Sequence, residues 1–284
     1  MKRIFLLLFI LISVCSCGQS KAKQKDEAFN LEKTITIIVE GNTIETRFKP
    51  PAGFTRTKVD STSFTQYLRS LPLKAKGSKV TYFDGRKKAN FGVYDAVIDL
   101  PIGKRDLHQC ADAVMRLRAD YLFERKRYSD IHFNFTNGFK ADYSNWKNGK
   151  RIIVQGNKVF WKQRTSPSNS QKNYWKYLEM IFSYAGTASL SKELKPIALK
   201  DIEAGDVFIK GGFPGHAVIV VDIAVNATSG KKMFLLAQSY MPAQELQILK
   251  NPNSSKDSPW YSSDFSGNLI TPEWVFKKNE LKRF

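Results

Sequence analysis

Apolar and polar positions alternate with a period of two through Ile131, Phe133 and Phe135, which face away from His132, Asn134 and Thr136 and run into Asn137-Gly138. Arg151–Gln155 and Lys158–Trp161 flank Gly156-Asn157 in the same manner. Both patterns predict antiparallel hairpins. Two further hairpin signals lie upstream: Thr34–Val39 and Thr43–Phe48 around Glu40-Gly41-Asn42, and Val80–Phe83 and Val93–Ile98 around Asp84-Gly85. The period changes to helical in Ser63–Leu71, where Phe64, Tyr67, Leu68 and Leu71 share a stripe and Ser63 and Gln66 have capping-box spacing. It is helical again after Asp106, where Asp106 and Gln109 suit a helix start near Leu107 and Val114, Leu117 and Tyr121 repeat on one face. Tyr174, Tyr177, Leu178 and Ile181 predict another helix, ending near Gly186. Strands are then expected at Asp206–Ile209, His216–Ala224, Met233–Gln238 and Glu245–Leu249. With no repeat and no Pro/Gly/Ser linker, the pattern predicts one α+β domain over residues 31–284, with a hairpin insertion at about 128–170.

The amino terminus has a different pattern. Lys2 and Arg3 precede the apolar run Ile4–Val14, too short to span a bilayer but matching the charged start and greasy centre of an export signal. The following Cys15-Ser16-Cys17-Gly18 resembles a bacterial lipobox, which implies removal of residues 1–16 and lipidation of Cys17. Residues 17–30 are polar and lysine-rich and read as a flexible tether. The expected location is the cell envelope, lipid-anchored to a bacterial membrane.

The composition is globular, with 42% hydrophobic and 25% charged residues in 284. A formal charge of +19 changes the picture by pointing to anionic surroundings, and about +17 remains once Lys2 and Arg3 are removed. Dispersed lysines and an export signal argue against nucleic acid as the partner. Cys15 leaves with the signal and Cys17 takes lipid, so Cys110 is the remaining thiol.

A cysteine hydrolase needs a thiol, an imidazole to move its proton and a polar group to orient that imidazole. Cys110 falls in the first turn of the predicted helix, where free backbone N–H groups and the helix dipole favour a thiolate. It also shares the stripe of Val114, Leu117 and Tyr121, a position that suits a small core residue equally. His216 follows the loop Gly211-Gly212-Phe213-Pro214-Gly215 and opens an apolar strand. His108 reads as decoration of the helix start, and His132 as the polar face of a hairpin. If Met233–Gln238 folds back on the His216 strand, Gln238 returns toward His216, with Ser239 and Gln244 as register alternatives. Asp206 reads as a carboxylate that stabilises a turn. Tyr143, Trp146, Trp161 and Trp175 either line a substrate cleft or belong to the core.

Gln109-Cys110-Ala111-Asp112, Gly205-Asp206-Val207-Phe208 and Gly215-His216-Ala217-Val218-Ile219-Val220 together resemble the NlpC-type branch of papain-fold cysteine peptidases. The resemblance implies a papain-like core, with a nucleophile-bearing helix packed on a C-terminal antiparallel sheet. It also implies Cys110 as nucleophile, His216 as base, Gln238 as orienting residue, and a peptide or amide bond in peptidoglycan stem peptides as substrate. More than a hundred residues separate Cys110 from His216, further than a compact member needs. At whole-chain level, Leu71-Pro72-Leu73-Lys74, Gln109–Arg118, Tyr184-Ala185-Gly186-Thr187 and Leu235–Gln244 are similar to a bacterial lipoprotein family described as domain of unknown function 4846.

The expectation is therefore an envelope cysteine peptidase or amidase, with the wall polymer and the membrane as partners. Two alternatives remain: a non-catalytic lipoprotein that binds wall or glycan, and an acyl or amide transferase using the same residues. There is no Gly-rich phosphate loop followed by Lys-Ser/Thr, no His-Glu-x-x-His and no Cys-x-x-Cys pair, so neither cofactor nor metal is expected.

Overall fold

His216–Val225 carries apolar side chains on both faces, and a strand of that pattern is stable only when covered on both sides. In the computed structural model, which describes residues 37–284, this strand is the centre of a large antiparallel sheet. The expected signal peptide 1–16, lipidated Cys17 and tether 17–30 lie outside the described residues.

The helices in chain order are α1 (Ile44–Arg47), α2 (Phe64–Arg69), α3 (Cys110–Glu124), α4 (Tyr143–Lys147), α5 (Gln171–Tyr184) and α6 (Thr187–Glu193). The first strands are β1 (Thr55–Arg56), β2 (Tyr94–Val97), β3 (His132–Asn134), β4 (Lys140–Asp142), β5 (Lys150–Gln155), β6 (Lys158–Gln163) and β7 (Lys195–Pro196). They are followed by β8 (Val207–Lys210), β9 (His216–Val225), β10 (Lys232–Gln238), β11 (Gln247–Leu249), β12 (Tyr261–Ser262), β13 (Leu269–Ile270), β14 (Val275–Phe276) and β15 (Leu281–Arg283). The main sheet runs β2-β11-β10-β9-β8-β15-β7, with β1 added to β9 and β12 to β10. Every pairing in it is antiparallel.

The alternation of β9 divides the core in two. Ala217, Ile219 and Val221 face the cluster that contains α3 and α5, whereas Val218 and Val220 face a second cluster with Phe208, Phe234 and Phe276. The register with β10 shifts where Asp222 pairs with Leu235 and Val220 with Leu236, so Val221 is an extra residue in β9. Beyond that bulge the phase reverses: Ile223 belongs to the second cluster and Ala224 to the first.

Asp222 sits at the bulge with no solvent exposure, and its two oxygens accept from Arg69 Nε and Arg56 Nε, both at 2.6 Å. Arg69 also donates to the Thr57 and Ile223 carbonyls. The pair of guanidiniums thus clamps α2 and β1 to the middle of the sheet.

Several local expectations are corrected. Thr43–Phe48 is not a strand: Thr43 and Thr46 exchange backbone-to-hydroxyl hydrogen bonds at 3.0 and 3.2 Å, a reciprocal cap that turns Ile44–Arg47 into a single helical turn. Val93–Ile98 does not pair with Val80–Phe83, because β2 closes the edge of the main sheet against β11. Helix α3 begins at Cys110, three residues later than Asp106 suggested. The Asp106 carboxylate is taken by the Ala243 N–H at 2.7 Å and the Gln109 side chain at 3.0 Å, while Asp112 caps the Gln109 N–H at 3.0 Å. Helix α6 was not anticipated.

The β3–β4 and β5–β6 hairpins match the sequence pattern, with Asn137-Gly138 and Gly156-Asn157 between their strands. Residues 131–152 of the insertion contribute Ile131, Phe133, Tyr143, Trp146 and Ile152 to the cluster shared with α3 and α5.

Asp222→Asn should lower unfolding free energy by roughly 3 kcal/mol, because the buried Arg69 and the half-buried Arg56 lose their counter-charge. Urea denaturation checks this, and an unchanged midpoint would mean that the clamp is not a structural anchor.

Candidate functional site

The first turn of α3, the amino end of β9, the carboxyl end of β10 and the tip of the β13–β14 hairpin converge on one cavity of about 410 Å³. Each wall has a local cause. Ser239, just after β10, has its hydroxyl oxygen 2.7 Å from both the His108 and the Gln244 carbonyl oxygens, which share its one proton, and this ties the start of α3 to the end of the sheet. The loop before His216 is closely packed: a Cβ at Gly215 would lie 2.4 Å from Thr187 Oγ1, and one at Gly211 would lie 2.0 Å from Ser191 Oγ. In the β13–β14 turn, Thr271 N–H donates to the Trp274 carbonyl at 2.9 Å, and Trp274 N–H to Thr271 Oγ1 at 3.1 Å. That turn places Trp274 beside His216 and Glu273 beside Gln238.

Cys110 and His216 both line this cavity. Cys110 is the first residue of α3 and is half-buried. The Ala217 amide, adjacent in the chain to His216, hydrogen-bonds to the Cys110 sulfur. His216 is 2% exposed, with the Tyr240 ring centroid at 4.6 Å and that of Trp274 at 5.2 Å. Its Nε2 lies 2.9 Å from Gln238 Oε1. Of the three register alternatives for the orienting residue, Gln238 is therefore the one in contact with His216. The Ser239 hydroxyl is committed to backbone carbonyls, and Gln244 Oε1 accepts from Gln247 and Lys88.

Behind Gln238 lies a polar chain that the sequence did not suggest. Gln238 Nε2 donates to Glu273 Oε2 at 2.6 Å, and the same oxygen accepts from Lys88 Nζ at 2.8 Å. Lys88 is 4% exposed and also donates to Gln244 Oε1 at 3.1 Å. Because a carboxylate can only accept from the Gln238 NH₂, Oε1 must face His216, and Nε2 must carry the imidazole proton. Nδ1 is then the nitrogen free to act as base. In sequence Glu273 is one carboxylate in a Pro-containing turn and Lys88 one of many lysines, so nothing but the fold distinguishes them.

The electrostatics add a contribution that opposes the helix start. Burial pushes the Cys110 thiol up to about 11, outweighing the Ala217 hydrogen bond, and the negative charge of Asp112 pushes it the same way. Burial pushes the His216 imidazole down to about 4, against the Gln238 hydrogen bond. Desolvation therefore opposes the thiolate that the helix start favours, and it disfavours charge on the thiol and the imidazole alike.

The remaining sequence candidates lie elsewhere. Tyr143 is fully buried against Tyr174 and Tyr177, and Trp146 donates to the Asn173 carbonyl at 3.0 Å. Trp161 packs on Phe139, and Trp175 on Phe182 and Arg116. None of these four lines the cavity with Cys110; its aromatic walls are Phe182, Phe213, Tyr240 and Trp274. His108 does not decorate the helix surface but is buried beside Phe182, and burial pushes it down to about 3. Asp206 stabilises its turn as expected, accepting from the Glu203 N–H at 2.6 Å and pairing with Arg283. Among the described residues no cluster of three His, Cys, Asp or Glu side chains is arranged to hold a metal ion.

These observations define a mixed α/β protein whose large antiparallel sheet and first long helix bring a cysteine, a histidine and a glutamine together. The family model described as domain of unknown function (4846) matches residues 44–283, and the chain belongs to that family. No curated protein and no solved structure matches the chain.

Alkylation of Cys110 by iodoacetamide should rise with pH toward about 11, with no plateau below pH 7. A pH-rate profile followed by mass spectrometry checks this, and fast labelling at pH 6 would mean a preformed thiolate.

Proposed function

We propose that this chain is a cysteine hydrolase of peptide or amide bonds in the cell envelope, built on a papain-like core of the NlpC type. The observation that carries the reading is the shared cavity of Cys110 and His216, with the His216 Nε2 held by Gln238 at 2.9 Å. Residues 1–17 support export and lipid anchoring through Cys17. The +19 charge suits residence against anionic wall polymer, and peptidoglycan stem peptides are the first substrate to test.

The chemistry follows from a pair on which burial disfavours charge. As the sulfur bonds to the substrate carbonyl carbon, the thiol proton moves to His216 Nδ1. The backbone N–H groups of Cys110 and Ala111 at the start of α3, which turn toward the Cys110 sulfur at rest, would receive the oxyanion in this reading. His216 then gives its proton to the leaving amine nitrogen, and the carbon–nitrogen bond breaks to leave a thioester. Water attacks that thioester with Nδ1 taking its proton, the carbon–sulfur bond breaks, and the proton returns to sulfur. A carboxylic acid and an amine leave, and the site is regenerated.

One observation favours a second reading. A thiol held protonated by burial suits a cavity that only grips its ligand, as in a non-catalytic binding lipoprotein. A transferase would follow the hydrolase steps, with an acceptor amine or hydroxyl in place of water.

Muropeptide release from purified peptidoglycan separates these readings. Cys110→Ala and His216→Ala should each lower kcat/KM by about a thousandfold or more, and Gln238→Ala by about ten- to a hundredfold. Full release by Cys110→Ala would overturn the hydrolase reading, and acceptor-linked products would indicate transfer.

A further inference from the structure

The lining of the cavity is at odds with the charge of the chain. Lys and Arg number 45 in the sequence, yet among the described residues none lines the space beside Cys110. The carboxyl group on its wall is that of Asp112, which is 6% exposed and holds the Gln109 N–H through Oδ2. Burial pushes Asp112 well above the usual carboxylate range. The other carboxylate nearby, Glu273, is engaged by Lys88 and Gln238. The second Asp112 oxygen, Oδ1, is buried without a partner, and Lys210 stands outside the lining with Nζ 6.0 Å from the Trp274 ring centroid. A ligand carboxylate would thus meet no Lys or Arg on the lining itself, and moving a charge out of water unpaired costs several kcal/mol.

What the cavity offers is apolar surface. Phe182, Pro214 and Trp274 line it, and two side chains at its edge are held out in water: Phe213 is 97% exposed and Met241 is 54% exposed. Both stand on loops tied to the site, Phe213 just before His216 and Met241 just after Gln238. Large apolar side chains exposed together beside a nucleophile mark a surface that a ligand covers.

We propose that the carbonyl attacked by Cys110 carries an uncharged, apolar group, an aliphatic or aromatic chain that seats between Phe182, Phe213, Met241 and Trp274. This rests on the hydrolase reading for its choice of Cys110 as the reacting atom. Within stem peptides it selects bonds flanked by uncharged residues and excludes those flanked by free carboxylate or ammonium groups.

Three probes with the same iodoacetamide warhead test it on the full chain: N-hexyl, a six-carbon arm ending in carboxylate, and a six-carbon arm ending in ammonium. Each forms a carbon–sulfur bond with release of iodide and of the thiol proton to solvent. Labelling of Cys110 is followed by peptide mass spectrometry, with rates normalised to the same probe on glutathione. The hexyl probe should react at least about tenfold faster than either charged probe, and Phe213→Ser or Met241→Ser should reduce that advantage about threefold. Equal or faster labelling by either charged probe, or no labelling by the hexyl probe, overturns the proposal. Because the readout needs no turnover, hexyl preference without muropeptide release would sink the hydrolase reading alone. Release combined with preference for a charged probe would sink this inference alone.

Discussion

A primary amide accepts at one end and donates at the other, and it cannot be turned over without losing both bonds. Gln238 is held in that way between His216 and Glu273. Lys88 donates to Glu273 at 2.8 Å, so the direction of the whole chain is set by a partly buried ion pair at its far end. Burial lowers the Lys88 pKa while Glu273 opposes that shift. The orientation of the imidazole is thus determined several residues away from the sulfur, on a hairpin contributed by the last part of the chain. The same hairpin supplies the Trp274 ring that packs on His216.

Burial governs the chemistry of the pair as firmly as hydrogen bonding governs its geometry. A thiol at a helix start is usually read as activated, but here loss of water outweighs the backbone donors around the sulfur. The imidazole is driven the opposite way by the same cause. Burial thus disfavours charge on both groups, so in the proposed hydrolase charge would separate only when a substrate carbonyl arrives to accept it. A cavity without cationic walls is consistent with that economy of charge, since a nearby lysine would stabilise the thiolate before substrate is bound. The clamp at Asp222 uses charge differently: it is committed to two guanidiniums and fixes α2 and β1 on the sheet.

Much of this arrangement was legible in the sequence. The apolar run after His216, the hairpin turns at Asn137-Gly138 and Gly156-Asn157, and the stripe of Tyr174 through Ile181 carry their own periodicity, and each forms the expected element. Cys110, His216 and Gln238 were accessible because a helix start, a strand start and a hairpin return are local features. What escaped the sequence depends on long-range packing. Thr43–Phe48 has strand composition, yet a Thr43–Thr46 cap decides for helix. Tyr143 and Trp146 have the composition of a cleft wall, yet Tyr143 packs between Phe123 of α3 and Tyr174 of α5, and Trp146 packs on Tyr177 of α5. Lys88 and Glu273 lie 185 positions apart, and no spacing rule brings them together.

The central claim is that the Glu273–Gln238 chain fixes His216 with its proton on Nε2 and a lone pair on Nδ1. Long-range ¹H–¹⁵N NMR of histidine-labelled protein between pH 5.5 and 8 measures this directly at both ring nitrogens. The account predicts one neutral tautomer, protonated at Nε2, across that range, reverting to a tautomer mixture in Glu273→Ala. A His216 protonated at Nδ1, or cationic at pH 7, would contradict it.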